Sequence, residues 1–541
     1  MEKNADIKET ENTPQTSASL VRHGSALSFL TLISRVLGLL REMTKARFLG
    51  TTALSDAFSV AFLLPNLFRR LFAEGSISVA FIPTFKEYLL AGSKGKDAIR
   101  EFLSCMFTFL TFFVTLAVCL GILAAPLLVR IFGIEEIDET VLLTRIMFPF
   151  LAFISLAALF QGVLNSLHIF TPSGLAPILL NIITILCTYA LSPFTANPAR
   201  AMAVGILIGG FTEAAIQLPF VIKKGHVFFF TGLKRALNNP GTKKVLRLIS
   251  PTIIGMAAYQ LNDLIATALA GRAGEGVVSS LQYSVRLQEL FLGVFAVSIG
   301  TVLLPNLTEY AKTSQWDIYN KRLVSSINII AMITIPVTFF SLMEGDNLIR
   351  LLFHGYSFDD QSAALTMAAF TFHMPGLLFI ALNRVIAPAF YAQSDTKSPT
   401  VAGIISIGVN IILAAVFAGP YRGAGIAFAL TFASVINTVI LIFMLGKNPN
   451  INLKLIIGPS LFYITKMLIL SAAAIIPIYF LSPVLCDIFS KRTHIIAYGA
   501  PLAVNALIYI LIGTALLAAV RDQNLKGLIN IIKRKSVKIV S

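Results

Sequence analysis

The chain has 541 residues, of which 56% are hydrophobic and 13% are charged. Soluble domains carry roughly a quarter charged residues, and a chain of this size cannot hide so much apolar surface inside itself. The composition therefore excludes a soluble enzyme or binding domain and predicts an integral membrane protein. A net charge of +16 would suit nucleic acid, but the distribution of that charge along the chain argues against this role.

Apolar runs long enough to cross a bilayer follow one another along most of the chain. A hydrocarbon core about 30 Å thick requires roughly 20 apolar residues per helix. The runs therefore predict an all-α polytopic membrane protein with about fourteen transmembrane helices. In chain order they lie at approximately 24–47, 54–87, 99–132, 137–167, 173–192, 199–222, 246–271, 277–311, 321–343, 362–391, 398–418, 422–445, 456–482 and 494–520.

Charges in the predicted loops alternate between basic and acidic. Residues 135–139 and 346–360 are acidic or sparsely charged, whereas the intervening loops are basic. Since Lys and Arg accumulate in cytoplasmic loops, we predict that the basic loops and both termini are cytoplasmic. We expect the excess charge to set this topology and to contact anionic lipids, not nucleic acid. The basic residues include Lys86, Lys94, Lys96, Arg100, Lys223, Lys224, Lys234, Arg235, Lys243, Lys244, Arg247, Lys312, Lys321 and Arg322.

Two pairs of segments indicate an internal repeat. Residues 83–88 resemble residues 305–310, and residues 172–181 resemble residues 399–410, at offsets of about 220 to 230 residues. Because six helices separate the copies, the repeat is parallel, as in transporters that bind substrate between two halves. The predicted domains are a cytoplasmic tail (1–23), an N-lobe of six helices (24–222), a cytoplasmic amphipathic linker (223–245), a C-lobe of six helices (246–445), helices 13 and 14 (446–520) and a basic cytoplasmic tail (521–541).

Several charged residues lie within the predicted helices. A charge at the bilayer centre costs at least about 2.5–3.5 kcal/mol, so such residues usually face a water-filled cavity or a partner. Snorkelling to the interface is the alternative for the arginines, and an ion pair with Glu289 is the alternative for Arg286. Lys45 and Arg47 are expected to be interfacial anchors. The remaining charges are Arg35, Arg41, Glu42, Asp56, Arg69, Arg70, Glu74 and Asp263.

The arginines among these residues outnumber the nearby acids. Arg binds phosphate through two parallel hydrogen bonds, so the surplus predicts an anionic, phosphate-containing cargo. The chain has no Gly-x4-Gly-Lys-Ser/Thr loop, and its six histidines and four cysteines lack metal-ligand spacing. We therefore expect a transporter and no enzyme, without a cofactor or firm metal site. An ion gradient, the membrane potential or the gradient of the cargo would drive it.

The first two predicted helices carry a specific motif. Residues 34–42 read Ser-Arg-Val-Leu-Gly-Leu-Leu-Arg-Glu, residues 56–58 read Asp-Ala-Phe, and residues 65–75 read Pro-Asn-Leu-Phe-Arg-Arg-Leu-Phe-Ala-Glu-Gly. With this motif the chain resembles the MurJ/MviN family of lipid II flippases, in the MATE-like exporter superfamily, over nearly its whole length. Further matches are Arg286 and residues 300–305, 387–391 and 395–399.

This resemblance implies a flippase that moves lipid II, the undecaprenyl-pyrophosphate-linked peptidoglycan precursor, to the outer leaflet of the bacterial cytoplasmic membrane by alternating access. It also implies a cationic cavity between the lobes, a lipid-tail groove in helices 13 and 14, and cell-wall synthesis enzymes as partners. The family's portal aspartate falls on Asp56. Its essential cavity arginines fall on Arg35, Arg41, Arg69 and Arg286.

Other polar residues depart from the family pattern or extend it. Glu42 stands where members often have Asp, and with Asp56, Glu74 and Glu289 it is a candidate cavity or gate acid. Asp263 and Asn410 are a candidate cation site. Some relatives bind sodium through an Asn-x3-Asp pair in helix 11, but here the fourth residue after Asn410 is alanine. The coupling ion, sodium or proton, is therefore left open.

Three other interpretations compete with the lipid II flippase. A cation-coupled MATE-like drug exporter shares the two-bundle repeat but predicts acids facing the cavity. A flippase for another lipid-linked oligosaccharide would need similar arginines. A membrane scaffold for cell-wall enzymes would need no charges at membrane depth.

Overall fold

The structure is a computed structural model that describes residues 15–70, 80–90 and 95–527. For residues 15–29, 251–255, 258–259 and 294–302 it describes the backbone only. Over these residues the chain is helical and has no strand, which confirms the all-α fold. The helices are α1 (Gln15–Leu49), α2 (Ala53–Arg69), α3 (Ile82–Leu90), α4 (Lys96–Arg130), α5 (Ile137–Met147), α6 (Phe150–Ser166), α7 (Thr171–Leu191), α8 (Pro198–Lys223), α9 (Leu233–Asn238), α10 (Pro240–Arg272), α11 (Val277–Lys312), α12 (Trp316–Phe353), α13 (Asp360–Ala392), α14 (Lys397–Leu445), α15 (Leu453–Phe489) and α16 (His494–Ala519).

Within the described ranges, nine helical segments are long and apolar enough to cross a membrane. They run from α4 to α16, and α5 and α6 count together as one segment. The helices that carry most of the charged motif residues, α1, α2, α10 and α11, are not among the nine. The chain is therefore a polytopic membrane protein. The number fourteen stays a prediction.

Helix α14 contains two predicted helices in one 49-residue segment. The predicted boundary between 418 and 422 coincides with a sharp bend, where Arg422 has φ 46° and ψ −131°. A Cβ atom at Gly425 would lie 2.3 Å from the Phe417 carbonyl oxygen, so the bend requires glycine there. Pro420 removes one helical hydrogen bond at the same place. The boundary predicted from the sequence therefore corresponds to a sharp bend between two helices, with no loop between them.

The chain forms two compact units that differ from the predicted lobes. Unit 1 comprises Met1–Arg41, Leu64–Ala125 and Leu142–Met256, and unit 2 comprises Glu42–Leu63, Pro126–Val141 and Ala257–Ser541. In unit 1, α8 packs against α6 and α7. In unit 2, α13 packs against α11, α12 and α14, and α15 packs against α12 and α16. The end of α1 and the start of α2 therefore belong to the same unit as the carboxyl-terminal helices.

Equivalent asparagines support the internal repeat. In unit 1, Asn181 Nδ2 of α7 donates a hydrogen bond to the Ser34 carbonyl oxygen of α1, at 3.4 Å. In unit 2, Asn410 Nδ2 of α14 donates to Asn262 Oδ1 of α10, at 2.8 Å. The two asparagines are 229 residues apart and their partners 228 residues apart, within the predicted offset. In each half, an asparagine of the fifth predicted helix therefore donates a hydrogen bond to the first predicted helix at an equivalent position of the repeat.

The linker predicted at 223–245 folds back onto α4 within unit 1. The Phe229 backbone N–H donates to Ser104 Oγ at 3.2 Å, and the Arg100 guanidinium lies 4.3 Å from the centre of the Phe229 ring. Arg235 forms an ion pair with Glu101 at 2.9 Å. The linker thus has one side packed on protein, whereas Phe230 is 72% exposed.

Candidate functional site

Arg35 lies on an exposed stripe of α1. Leu32, Val36 and Leu40 are 53%, 50% and 41% exposed on the same stripe, since they repeat every four residues. Arg35 itself is exposed, and Arg41 on another side of the helix is half-buried. Arg35 is therefore exposed among apolar side chains of the same helix.

Arg69 closes helix α2 and is held by its own helix. Its Nε atom donates to Asn66 Oδ1 at 2.8 Å, three residues earlier. Both residues are half-buried, as is Arg70. Because the guanidinium plane is rigid, fixing Nε also fixes the direction of the other N–H groups. Glu74, the candidate acid that follows in the motif, lies outside the described residues.

Arg286 of α11 lies between two acids in unit 2. Its Nη1 atom is 3.1 Å from Glu289 Oε2, and its Nη2 atom is 3.9 Å from Glu42 Oε1. The Arg286 side chain is 38% exposed, whereas Glu42 and Glu289 are 15% and 52% exposed. The structural ion pair considered from the sequence is therefore present. The pair with Glu289 is partly exposed, and such pairs contribute about 0–1 kcal/mol, whereas Glu42 is mostly buried.

The prediction that Lys45 is an interfacial anchor is wrong, because the residue is buried. The side chain is 3% exposed, and its Nζ atom donates to Ser59 Oγ at 2.5 Å and to Gln282 Oε1 at 2.9 Å. The ammonium group also lies 5.0 Å from the centre of the Tyr283 ring. It points between α1, α2 and α11 because oxygen acceptors and an aromatic face replace water there. Arg47, two residues on, is exposed as expected.

Asp56 of α2 caps the start of α11. It is 2% exposed, and its two carboxylate oxygens accept backbone N–H bonds from Gly276 and Ser279, each at 2.8 Å. An anion at a helix amino terminus satisfies unpaired N–H groups and the helix dipole. Gly276 has φ 77° and no side chain, and a Cβ atom there would lie 2.3 Å from the Thr51 carbonyl oxygen. The carboxylate thus joins two helices at a close contact that only glycine permits.

Further hydrogen bonds strengthen this junction in unit 2. The Tyr283 hydroxyl donates to the Gly50 carbonyl oxygen at 2.9 Å, and Thr51 Oγ1 donates to Ser362 Oγ at 2.8 Å. The Ala53 backbone N–H donates to Glu275 Oε1 at 2.9 Å. We call residues 45–59, together with their partners in residues 275–283 and 357–362, the α1–α2 junction. It is dense in hydrogen bonds and nearly closed to solvent, unlike the surroundings of Arg286.

The candidate cation site contains one buried amide oxygen, Asn410 Oδ1, that accepts no hydrogen bond from the described residues. Asn410 is 4% exposed, and in the part of the chain that the structure describes its Oδ1 atom has no hydrogen-bond partner. Its Nδ2 atom binds Asn262, the residue before half-buried Asp263. A buried amide oxygen is a ligand type that suits a hard cation, and Asp263 lies on the same helix as Asn262. Residues 15–70, 80–90 and 95–527 contain no cluster of three or more His, Cys, Asp or Glu for a metal ion.

The predicted site residues fall into both units. Arg35, Arg41 and Arg69 belong to unit 1. The structure brings Glu42, Arg286 and Glu289 together in unit 2, and separately brings Asn410 beside Asn262. The convergence of the four arginines on one cargo stays a prediction. The unit 2 residues of the predicted site are Glu42, Asp56, Asp263, Arg286, Glu289 and Asn410.

Comparison with known proteins agrees with the motif in α1 and α2. The family model described as "Lipid II flippase MurJ" matches residues 45–496. A probable lipid II flippase MurJ from Treponema pallidum is 43% identical over 513 residues, covering 94% of this chain and 97% of its own length. A lipid II flippase MurJ from Burkholderia cenocepacia is 33% identical over 442 residues, covering 79% and 84%.

Solved structures share the fold. A lipid II flippase MurJ in an inward closed conformation has a TM-score of 0.74 at 24% identity, with 91% of this chain and 99% of that chain covered. A multidrug resistance MATE family transporter in an inward-facing conformation has a TM-score of 0.64 at 14% identity, with 76% and 95% covered. From the family model and the relatives together, this chain belongs to the lipid II flippase MurJ family.

Proposed function

We propose that this protein moves lipid II from the inner to the outer leaflet of the bacterial cytoplasmic membrane. The observation that carries the proposal is the accessibility of the motif arginines: Arg35 is exposed, and Arg69 and Arg286 are half-buried. Relatives at 43% and 33% identity are named for the same cargo. The pyrophosphate of lipid II is a compact anion that the planar guanidinium group binds in a bidentate manner.

Arg286 can accept this anion by exchanging partners. Its ion pair with Glu289 is partly exposed and so contributes little free energy. A pyrophosphate carries more negative charge than one carboxylate and offers more acceptor oxygens. Binding would therefore replace the partly exposed Glu289 as the partner of Arg286.

Alternating access between the predicted lobes, 24–222 and 246–445, is the proposed mechanism. We propose that the α1–α2 junction lies on the outer side and that opening there would break its bonds, among them those that Asp56 accepts from Gly276 and Ser279. Cargo binding favours this change only if it stabilises one state more than the other. Asp56 is therefore proposed as a gate residue that does not touch the cargo.

A monovalent cation is the proposed coupling ion. Asp263 and Asn410 would hold it, and the buried Asn410 Oδ1 atom without a hydrogen-bond partner among the described residues fits that role. When bound, the cation supplies a positive charge that neutralises the Asp263 carboxylate. The proton stays the alternative coupling ion.

The proposed location is the cytoplasmic membrane with both termini inside. The basic residues of the 223–245 linker would then contact anionic lipid headgroups, which favour Lys and Arg near the inner leaflet. Helix α15 exposes Phe462 and Phe480, at 73% and 70%, and α16 exposes Leu511, at 66%. These two helices would carry the lipid tail. Cell-wall synthesis enzymes are proposed as partners. The protein acts as a transporter and catalyses no covalent step.

Depletion of the protein in cells tests the proposal. After depletion we expect lipid II to accumulate on the inner leaflet, where an externally added lipid II-cleaving enzyme cannot reach it. Re-expression of the wild-type chain should restore cleavage, and re-expression of an Arg286→Ala chain should not. Unimpeded cleavage in depleted cells would refute the flippase. Restored cleavage with Arg286→Ala would remove this arginine from the cargo site.

A further inference from the structure

Glu344 is a buried acid in α12 that lies outside the proposed cargo and coupling sites. Sequence periodicity ends the ninth predicted helix at residue 343, but α12 continues to Phe353 and places Glu344 well inside the helix. The side chain is 1% exposed. Asn505 Nδ2 of α16 donates to Glu344 Oε1, and Asn347 Nδ2 donates to Glu344 Oε2, each at 2.8 Å. Both partners are neutral amides.

This acid lacks a basic counterpart. In the described ranges of the chain, Glu344 forms no salt bridge. The basic residue nearest along α12, Arg350, pairs instead with Asp346 at 2.7 Å and with Asp360. Buried ionisable groups in membrane proteins are costly and usually have a partner of opposite charge. Two amide hydrogen bonds orient the carboxylate but leave its negative charge uncompensated by protein.

A second oxygen in the same cluster lacks any hydrogen bond. Asn505 is 0% exposed, and its Oδ1 atom has no hydrogen-bond partner in the part of the chain that is described. A buried amide oxygen without a partner costs about 1–3 kcal/mol. Asn347 also contacts Cys486 Sγ of α15 at 3.5 Å. The cluster therefore lies where α12, α15 and α16 meet and presents carboxylate and amide oxygens.

We propose that Glu344 and Asn505 bind a monovalent cation of the sodium class. Carboxylate and carbonyl oxygens are the ligands of hard cations. One carboxylate balances one positive charge, whereas a divalent ion would leave a buried net charge. A cation satisfies the carboxylate charge and Asn505 Oδ1 together, which the amide hydrogen bonds alone do not. The site is separate from Asp263, which lies on α10.

Binding here would hold the carboxyl-terminal helix pair against α12. Glu344 contributes its ligand from α12 and Asn505 from α16, while Asn347 links the cluster to α15. A cation shared between helices stabilises the arrangement in which its ligands are close. An ion would then hold the pair α15–α16, which lies outside the internal repeat, against α12.

Sodium binding to the purified full-length chain tests this proposal. The variant Asp263→Asn serves as the background, since it removes the acid of the other candidate site. We expect this variant to bind radioactive sodium and to melt at a higher temperature in sodium chloride than in choline chloride at equal ionic strength. Adding Glu344→Gln should weaken sodium binding at least about tenfold, because ligand charge sets the affinity of such sites. Sodium binding unchanged by Glu344→Gln would overturn the proposal.

Two further variants keep the test decisive. Asp346→Asn removes a 54%-exposed acid from the same helix and should leave sodium binding unchanged; an equal loss with this variant would contradict the assignment to Glu344. Asn505→Ala removes the unbonded Asn505 Oδ1 ligand and should weaken sodium binding, which tests the site even if Glu344→Gln fails to fold. Unchanged binding with Asn505→Ala would also overturn the proposal, as would stabilisation by acid without any response to sodium.

Discussion

In each half of the repeat, an asparagine on the fifth predicted helix donates a hydrogen bond to the first helix. In the first half, Asn181 donates to a backbone carbonyl oxygen, that of Ser34, at 3.4 Å. In the second half, Asn410 donates to a side-chain oxygen, that of Asn262, at 2.8 Å. The two bonds occupy corresponding positions of the repeat. The repeat therefore preserves a helix contact, although the acceptor has changed from main chain to side chain.

The residue after each acceptor carries opposite charge in the two halves. Arg35 follows the acceptor in the first half and is exposed, whereas Asp263 follows it in the second half and is half-buried. A guanidinium group suits a phosphate, and a carboxylate suits a cation. We therefore propose that the same helix packing carries an anion site in one half and a cation site in the other. Each variant below alters one side of this contrast.

Arg35→Ala should have the largest effect on transport. Loss of a charge-assisted hydrogen-bonded contact costs about 1.5–3 kcal/mol, so we expect lipid II translocation by the purified chain in vesicles to fall about 10- to 100-fold. Arg35→Lys should retain part of the rate, because it keeps the charge but loses the bidentate fork. Arg130→Ala, an exposed arginine at the end of α4, serves as control. Near-normal transport with Arg35→Ala would remove this residue from the cargo site.

Asp263→Asn should change the ion dependence of transport and leave cargo binding intact. We expect the sodium stimulation of translocation to disappear and the rate in sodium to fall about tenfold. The measurement compares rates in sodium and choline salts, with exposed Asp317→Asn as the matched control. If transport by Asp263→Asn responds to sodium as the wild type does, the cation is not bound there.

Asn181→Ala and Asn410→Ala should have the smallest effects, on stability. Each removes an interhelical hydrogen bond worth about 0.6 kcal/mol in membrane proteins, so melting temperatures of the purified variants should fall only slightly. Only Asn410→Ala should also weaken the sodium dependence of transport. An equal change in sodium dependence with both variants would show that the asparagines have no separate roles.

The sequence predicted the helices and the internal repeat because both depend on local apolar patterns. The ends of the runs were less certain, and the early end at residue 343 hid Glu344, whose partner Asn505 is 161 residues away. Lys45 was misplaced because a helix-end lysine usually extends to water. Its actual acceptor Gln282 lies 237 residues further along the chain.

The role of Asp56 was equally beyond the sequence pattern. The family motif marked the residue, but its contact with the start of α11 spans more than 200 residues. Periodicity assigns a residue to a face of a helix and does not identify the element that covers that face. Charges in apolar runs therefore identified candidate residues, whereas three-dimensional contacts separated buried structural groups from accessible ones.

Translocation of labelled lipid II in vesicles that contain only the purified chain tests the central claim most directly. A membrane-impermeant reagent reports how fast the labelled headgroup reaches the opposite face. We predict rapid translocation by the wild-type chain and slow translocation both by Arg35→Ala and by vesicles without protein. Equal rates in all three preparations would contradict the assignment of lipid II transport to this protein.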